Sequence, residues 1–331
     1  MNRDLPEIPV VTDADTPLAL FEKKRGIASA LADVCRKIIP GFILNWLSSR
    51  SEKWLDRAEP PYKDELDRIA GALGREAYAL NLSYEWGCTT TAFNDAARGG
   101  VTMYRTLDWP IKGMGDKLVV AKHKGTAGEY LNIAYPGFVG VLNGMAKGRF
   151  AIAINSAPIP DYGWGFPVDM IISKHKNFQQ AHMPASFLLR KVFEECADYK
   201  QAVKMLSETP VCAPAIFTVA GVNEGEHCVI ERMPEKAIVH EGVREGFVCA
   251  TNHWINDEWP AHDRPTQPRR RRDEMIEGMG SYQGNFDWLD GAILNSRTRL
   301  AFEANARTGD LRLVGVEGKK FATKVLTLGN D

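Results

Sequence analysis

The sequence predicts an α+β fold, and three observations carry that expectation. Helical periodicity runs from Arg25 to about Ala79; β-branched and aromatic runs take over from Tyr84. The strands then cluster on either side of a second helical block instead of alternating with helices, which argues against a βαβ winding. The chain has 331 residues, 44% hydrophobic and 25% charged, with a net charge of −1. That size suits one large domain or two small ones. The composition excludes a mainly disordered, collagenous or coiled-coil chain, and the balanced charge gives no support to a nucleic-acid partner.

Residues 1–20 are polar and proline-containing and read as an irregular lead. In RGIASALADVCRKII, residues Ile27, Leu31, Val34, Cys35, Ile38 and Ile39 fall near one helical face before Pro40 and Gly41 interrupt. FILNWLSSR follows, and KDELDRIAGALG carries Leu66, Ile69 and Leu73 on one face and stops at Gly74 as a C-cap. CTTTAF and VTMYRTLDW read as strands around the turn NDAARGG, and KLVVAKH, EYLNIAY, FVGVLN and RFAIAIN as further strands. A helix starts near Pro184, with Phe187, Leu188, Val192 and Cys196 on a face, and a second spans about 199–208 before Pro210. AIFTVAG, HCVIER, KAIVHE and GFVCATN return to strand; a helix near 269–278 and late strands such as LRLVGV close the chain.

Six cysteines lie scattered with no CxxC pair, and seven histidines show no HxxxH or HExxH spacing. Neither a disulfide framework nor a metal site is expected, and no cofactor is implied. No apolar run approaches a bilayer span, and the N-terminus lacks a signal core, so the expected location is cytoplasmic.

One local constellation carries chemistry. With the turn centred near Ala97, antiparallel partners sum to about 194, which sets Cys88 opposite Thr106 and within two residues of Arg105 and Asp108. A guanidinium favours the thiolate over a thiol of pKa ~8.5. No partnered histidine is evident as a base. A cut between Gly87 and Cys88 would expose an α-amine of pKa ~7.7–8 able to take the thiol proton, with Asp108 orienting it. Gly87 offers such a cut little steric hindrance. The plain structural alternative is a half-buried strand cysteine beside a local Arg105–Asp108 ion pair.

NLSYEWGCTTTAFND followed by TMYRTLDWP resembles the N-terminal-nucleophile amidases of linear amides. Within them it is similar to the branch of acid ceramidase and N-acylethanolamine-hydrolysing acid amidase, related to choloylglycine hydrolase and penicillin V acylase. Asn81 to Glu85, Cys88-Thr89, Arg105 to Asp108 and Asn252 of CATNHW follow that branch in order, from about residue 60 to 255. The resemblance implies the αββα four-layer sandwich with an N-terminal helical segment. It implies self-cleavage into a helical segment 1–87, which stays associated, and a catalytic segment 88–331. Cys88 would be the nucleophile and its free amine the base. Arg105 would assist the thiolate or contact substrate, Asp108 hold the amine, and Asn252 donate to the oxyanion. Asn155 stands where the ceramidase-like branch has glutamate and resembles the oxyanion asparagine of the bile-salt and penicillin V acylases. The late arginine is matched by spacing to Arg264, with Arg269 to Arg272 competing because PTQP shifts the count.

The implied activity is hydrolysis of linear, fatty-acyl amides through an acyl-enzyme. Rival readings are a bile-salt or penicillin V acylase, an amine acyltransferase, and a non-catalytic lipid-binding module. The apolar face of 25–50, with Phe42, Ile43, Leu44, Trp46 and Leu47, either covers the core or meets lipid. Trp164 and Phe166 sit on a Gly/Pro-rich loop that either lines an acyl pocket or is only rigidified by them. His253 either packs beside Asn252 or serves as a base. Gly113 to Gly115 match no phosphate-loop fingerprint, Arg269 to Arg272 read as a solvated helix start, and the Asn81-Leu82-Ser83 sequon reads as accidental.

Overall fold

The computed structural model describes residues 5–82, 87–242 and 245–329. The lead expected to be irregular holds a short strand, β1 (Val10–Val11), and a helix, α1 (Pro17–Lys23). Thr16 caps α1 by accepting from Ala19 N, Pro17 supplies its first turn, and Leu20 and Phe21 are buried beneath it. The predicted helical stretch forms α2 (Arg25–Ile38), α3 (Gly41–Ala58), α4 (Lys63–Leu73) and α5 (Glu76–Leu82). Asn81 and Leu82 end α5; Ser83, Tyr84 and Glu85 of the motif lie outside the described residues.

The strand β2 (Gly87–Asn94) pairs with β3 (Val101–Asp108). Then follow β4 (Val119–Gly125), β5 (Gly128–Ala134), β6 (Asn143–Ala146), β7 (Phe150–Ser156) and β8 (Ile159–Pro160). A helical block comprises α6 (Phe166–Gln179), α7 (Ala185–Glu195) and α8 (Tyr199–Glu208). Next come β9 (Ala215–Ala220), β10 (His227–Arg232), β11 (Ala237–Glu241), β12 (Phe247–Ala250) and β13 (Ala261–His262). The chain finishes with α9 (Pro268–Gly278), β14 (Thr298–Asn305), β15 (Asp310–Glu317), β16 (Lys320–Phe321) and β17 (Leu326–Leu328).

Among the described residues these strands form two main sheets. One runs β1-β4-β5-β6-β7-β9-β10-β11, antiparallel except at β1–β4; the other runs β12-β2-β3-β14-β15-β16, with β17 also on β15. The helices α7 and α8 cover the outer face of the first sheet and α9 the outer face of the second. The result is the αββα sandwich, with the largest apolar cluster between the sheets.

The α6 helix was not anticipated, because its burial is inverted. Asp169 and Ser173 point inward, while Val168 and Ile171 face out, so no apolar stripe marks it as a core helix. The ambiguous stretch 25–50 divides at Pro40. The α2 helix buries Ala28, Leu31, Ala32 and Cys35, whereas the first turns of α3 leave Phe42 and Trp46 76% and 53% exposed.

A buried polar clasp ties the N-terminal helices to α7. Arg190 donates from Nη2 to Glu65 (2.6 Å), from Nε to Glu194 (2.7 Å) and from Nη1 to Val139 O (3.2 Å). Tyr62 donates to Glu194 (2.6 Å), with the Arg190 guanidinium 3.8 Å from its ring centre. Removing one partner strands the others in low dielectric. Arg190→Ala is therefore expected to lower stability by about 3–5 kcal/mol in urea unfolding; an unchanged midpoint would show that the clasp adds nothing.

Candidate active site

The β2–β3 register decides what surrounds Cys88. Partners sum to 195, not 194, so Cys88 faces Leu107 and Arg105 faces Thr90. The turn is Asp95–Gly100, closed by Asp95 N donating to Gly100 O (2.9 Å), with Gly99 and Gly100 at φ 76° and 70°. Asn94, expected in the turn, is the last rung of the strand. One residue of register changes the face of every side chain. Cys88, Thr90 and Arg105 share the face between the sheets, while Asp108 lies on the other face, toward α9.

The backbone of Cys88 is held at both its N–H and its carbonyl. Its N–H donates to Asn252 Oδ1 (2.7 Å). Asn252 sits two residues past Ala250, the last residue that β12 pairs with β2, which places it opposite Cys88. Its Nδ2 donates to Ser156 O (2.8 Å). From α9, Arg271 Nη1 donates to Cys88 O (2.6 Å), and its Nη2 to Asn252 Oδ1 (2.7 Å). Arg271 Nη1 also lies 3.5 Å from Asp108 Oδ2. The Asp108 carboxylate is fixed by Thr298 Oγ1 (2.8 Å) and Asn295 Nδ2 (2.7 Å).

The thiol side is built on Arg105. Its Nη2 donates to Ile154 O (2.7 Å), whose oxygen is 4.0 Å from Cys88 Sγ, and its Nη1 donates to Thr90 Oγ1 (2.8 Å) and to Asn155 Oδ1. Asn155 spends both amide hydrogens on Ala250 O and Thr251 O, each at 3.1 Å. In this arrangement it braces Arg105 against the 250–251 strand end and presents no donor to a substrate. Burial pushes the Cys88 thiol up; Arg105 and then Arg271 oppose that, while Asp108 adds to it. Burial likewise pulls both guanidinium groups down, against the attraction of Cys88 and Asp108.

A pocket of about 950 Å³ of empty space, counted to its open mouth, ends at Ile154–Ala157 beside this cluster. Its walls come from α3 (Leu47, Trp54), α6 (Phe178), Pro214 and Arg264. Trp54 Nε1 donates to Gln180 O (2.6 Å) and Arg57 to Phe178 O, which joins α3 to the end of α6.

Residues 96–279 match the family described as acyl-coenzyme A:6-aminopenicillanic acid acyl-transferase. The chain belongs to that family. N-acylethanolamine-hydrolyzing acid amidase of Rattus norvegicus is 28% identical over 213 residues, covering 62% of this chain and 56% of that protein. Acid ceramidase of Homo sapiens is 25% identical over 305 residues, 82% of this chain and 74% of that protein. The chain thus spans little more than half the length of the N-acylethanolamine amidases it matches. The solved N-acylethanolamine-hydrolyzing acid amidase ortholog of Caenorhabditis elegans superposes with TM-score 0.53 at 20% identity, over 73% of this chain and all of that one. The layered sandwich is therefore the N-terminal-nucleophile hydrolase fold.

Within this family member, the residues singled out from sequence fall in two places. Cys88, Arg105, Asp108, Asn155 and Asn252 form one buried cluster. Arg264 lies instead on the pocket wall, with Nε donating to Ala157 O (2.6 Å). Of the competing arginines, Arg271 is the one that touches Cys88, because it points inward from the first turn of α9 while Arg269 and Arg270 stay exposed. Thr90, Asn295, Thr298 and Thr266, whose Oγ1 accepts from Arg271 Nη2 (3.0 Å), were not foreseen. Asn295 and Thr298 reach Asp108 from nearly 190 positions away, and no local pattern announces them. His253 donates to or accepts from Thr251 Oγ1 through Nδ1 (2.8 Å) and does not touch Cys88.

Burial pulls His253 down to about 4, and His123 likewise. The unfolded chain takes up these protons near pH 6.5, while the fold refuses them until about pH 4. Stability is therefore expected to fall as pH drops through that window. Urea midpoints at pH 7 and 4.5 check this, and His253→Asn should make the decline shallower by about one proton's worth. An equal slope in the variant would contradict it.

Proposed function

We propose that this chain is a self-cleaving cysteine amidohydrolase acting on linear fatty-acyl amides. The observation that carries the reading is the convergence of Asn252, Arg271 and Arg105 on the nitrogen, carbonyl and thiol surroundings of a single cysteine beside an apolar pocket. Neutral packing has no use for two buried guanidinium groups around one small residue, since burying charge is unfavourable unless it is used.

The chain would cut itself between Gly87 and Cys88, leaving segments 1–87 and 88–331 associated through the Arg190 clasp and the apolar contacts of the helices with α7. The freed α-amine of Cys88, on the nitrogen that already bonds Asn252 Oδ1, takes the thiol proton. Sγ then attacks the amide carbonyl and the carbonyl oxygen becomes negative. Collapse of that adduct transfers the proton to the departing amine and leaves an acyl-thioester. Water, deprotonated by the same amine, releases the fatty acid and restores the thiol. Arg105 holds positive charge beside the thiolate, and Asp108 anchors the amine side through Arg271. Asn252 Nδ2 is the side-chain donor placed to serve the oxyanion once it leaves Ser156 O. N-acylethanolamines and ceramide-like amides, the substrates named by the relatives, fit an apolar pocket opening between α3 and α6.

Entry from a lipid surface belongs to the same reading. Phe42 and Trp46 of α3, Ile171 of α6 and Trp164 before it are large, apolar and more than half exposed. They lie on, or just before, the two helices that also supply Leu47, Trp54 and Phe178 to the pocket wall. Among the described residues no helix is long and apolar enough to cross a membrane, so contact would be peripheral. Phe42→Ser combined with Ile171→Ser should weaken binding to phosphatidylcholine vesicles by about tenfold or more, given roughly 1.5–3 kcal/mol per buried large side chain. Equal partition of the variant and the parent would remove the lipid-surface part of the reading.

Intact mass after incubation near pH 5 and near pH 7 tests the core of it. Fragments 1–87 and 88–331 are expected from the parent and none from Cys88→Ala. Gly87→Val should cleave more slowly, because a Cβ there would sit 3.3 Å from Asp108 Cβ and from Thr266 Cγ2. A parent chain that remains whole at both pH values and leaves fatty-acyl ethanolamides untouched would overturn the proposal.

A further inference from the structure

The side chain of Glu231 is fully buried on β10 of the first sheet. Its carboxylate collects four donors. His240 Nε2 lies at 2.7 Å, Asn256 Nδ2 at 2.7 Å and Asn256 N at 3.1 Å, and Ile255 N donates as well. Burial works against its charge, but the His240 ring, the Asn256 amide and the Ile255 N–H outweigh it and hold the carboxyl below the usual range. Asn256 in turn turns the chain, its Oδ1 accepting from Glu258 N (2.9 Å) and Trp259 N (3.1 Å).

The register shows what this anchor is for. Asn155 pairs with Ile216, and Ile216 with Glu231, so the three share one rung and one face of the first sheet. Asn155 grips Ala250 and Thr251; Glu231, two strands along, grips Ile255 and Asn256. Asn252 lies between the two grips, two residues past the last β12–β2 pair, Ala250 with Thr90, and opposite Cys88.

We infer that Glu231 is a positioning residue for Asn252: it fixes the chain three residues downstream and so holds the Asn252 amide against Cys88 N and Ser156 O. The inference rests on the hydrolase reading above and extends it to a residue that touches neither substrate nor thiol. A displaced amide would still bind substrate but would meet the oxyanion poorly. The defect should therefore appear in kcat and in self-cleavage, with little change in KM.

The test uses the full chain and its Glu231→Gln, Asn252→Ala and doubly substituted forms. The half-time of Gly87–Cys88 cleavage is followed, together with kcat and KM on N-palmitoylethanolamine. Glu231→Gln should lower kcat about tenfold with KM within about twofold. That is less than the ~10²–10³ lost when an oxyanion donor is removed outright. Because Glu231 acts through Asn252, the double variant should be no slower than Asn252→Ala alone. Asn256→Ala, which removes one donor and leaves the buried carboxylate, should show the same kcat-selective loss and decides the matter if Glu231→Gln does not fold. Parent-like kcat in a folded Glu231→Gln, or losses that multiply in the double variant, would overturn the inference while leaving the hydrolase reading intact. A parent chain that neither cleaves nor turns over substrate would overturn both.

Discussion

The hydrogen bond from Cys88 N to Asn252 Oδ1 is the constraint around which the rest is arranged. It joins the start of a central strand to a loop that leaves its neighbour, and it fixes Cys88 by its backbone instead of its side chain. A side-chain anchor would occupy the thiol. A backbone anchor leaves Sγ turned into the space between the sheets, where Arg105 and the Ile154 carbonyl meet it. Arg271 completes the arrangement by holding both the Cys88 carbonyl and the same Asn252 oxygen, so one guanidinium spans the residue's two ends.

That anchor depends on a layered fold. Sheet one contributes Asn155 and Ser156, sheet two contributes Cys88 and Arg105, and the outer helix α9 contributes Arg271. These groups stand on regular elements, which keeps them stiff, while Asn252 comes from the loop after β12 and is held by the bonds of its own side chain. Several charged groups sit in this interior. They are tolerable because each meets several acceptors or donors, as Asp108 does through Thr298, Asn295 and Arg271.

Much of the architecture was legible in the sequence because it is written in local periodicity. The helices α2, α4, α7, α8 and α9 and the β2–β3 hairpin all announce themselves by spacing, caps and turn residues. The exceptions have separate causes. The α6 helix hides because its apolar side faces outward, and α1 because seven residues are too few for a period to emerge. In the site, Cys88, Arg105 and Asp108 are close in sequence, so hairpin geometry alone brings them together. The slip of one residue in register shows the limit of such reasoning: a turn centre misplaced by half a residue assigns Arg105 and Asp108 to the wrong faces. Arg271 could be named only as one of several arginines, since which of four neighbours points inward depends on the rotation of α9 about its axis. Asn295 and Thr298 depend wholly on tertiary structure, and short-range pattern holds no trace of them.

The clasp between Glu65, Arg190, Glu194 and Tyr62 would take on a second role in a chain cut before Cys88. In an uncut chain the helical segment cannot leave, and folding is independent of dilution. Once the link before Cys88 is broken, the same contacts become an interface between two polypeptides, and persistence of the native state acquires a dependence on protein concentration. A cut made to release an amine would thus also convert a unimolecular fold into a bimolecular equilibrium. The clasp is then what decides whether a very dilute solution holds a complete molecule or two separated halves.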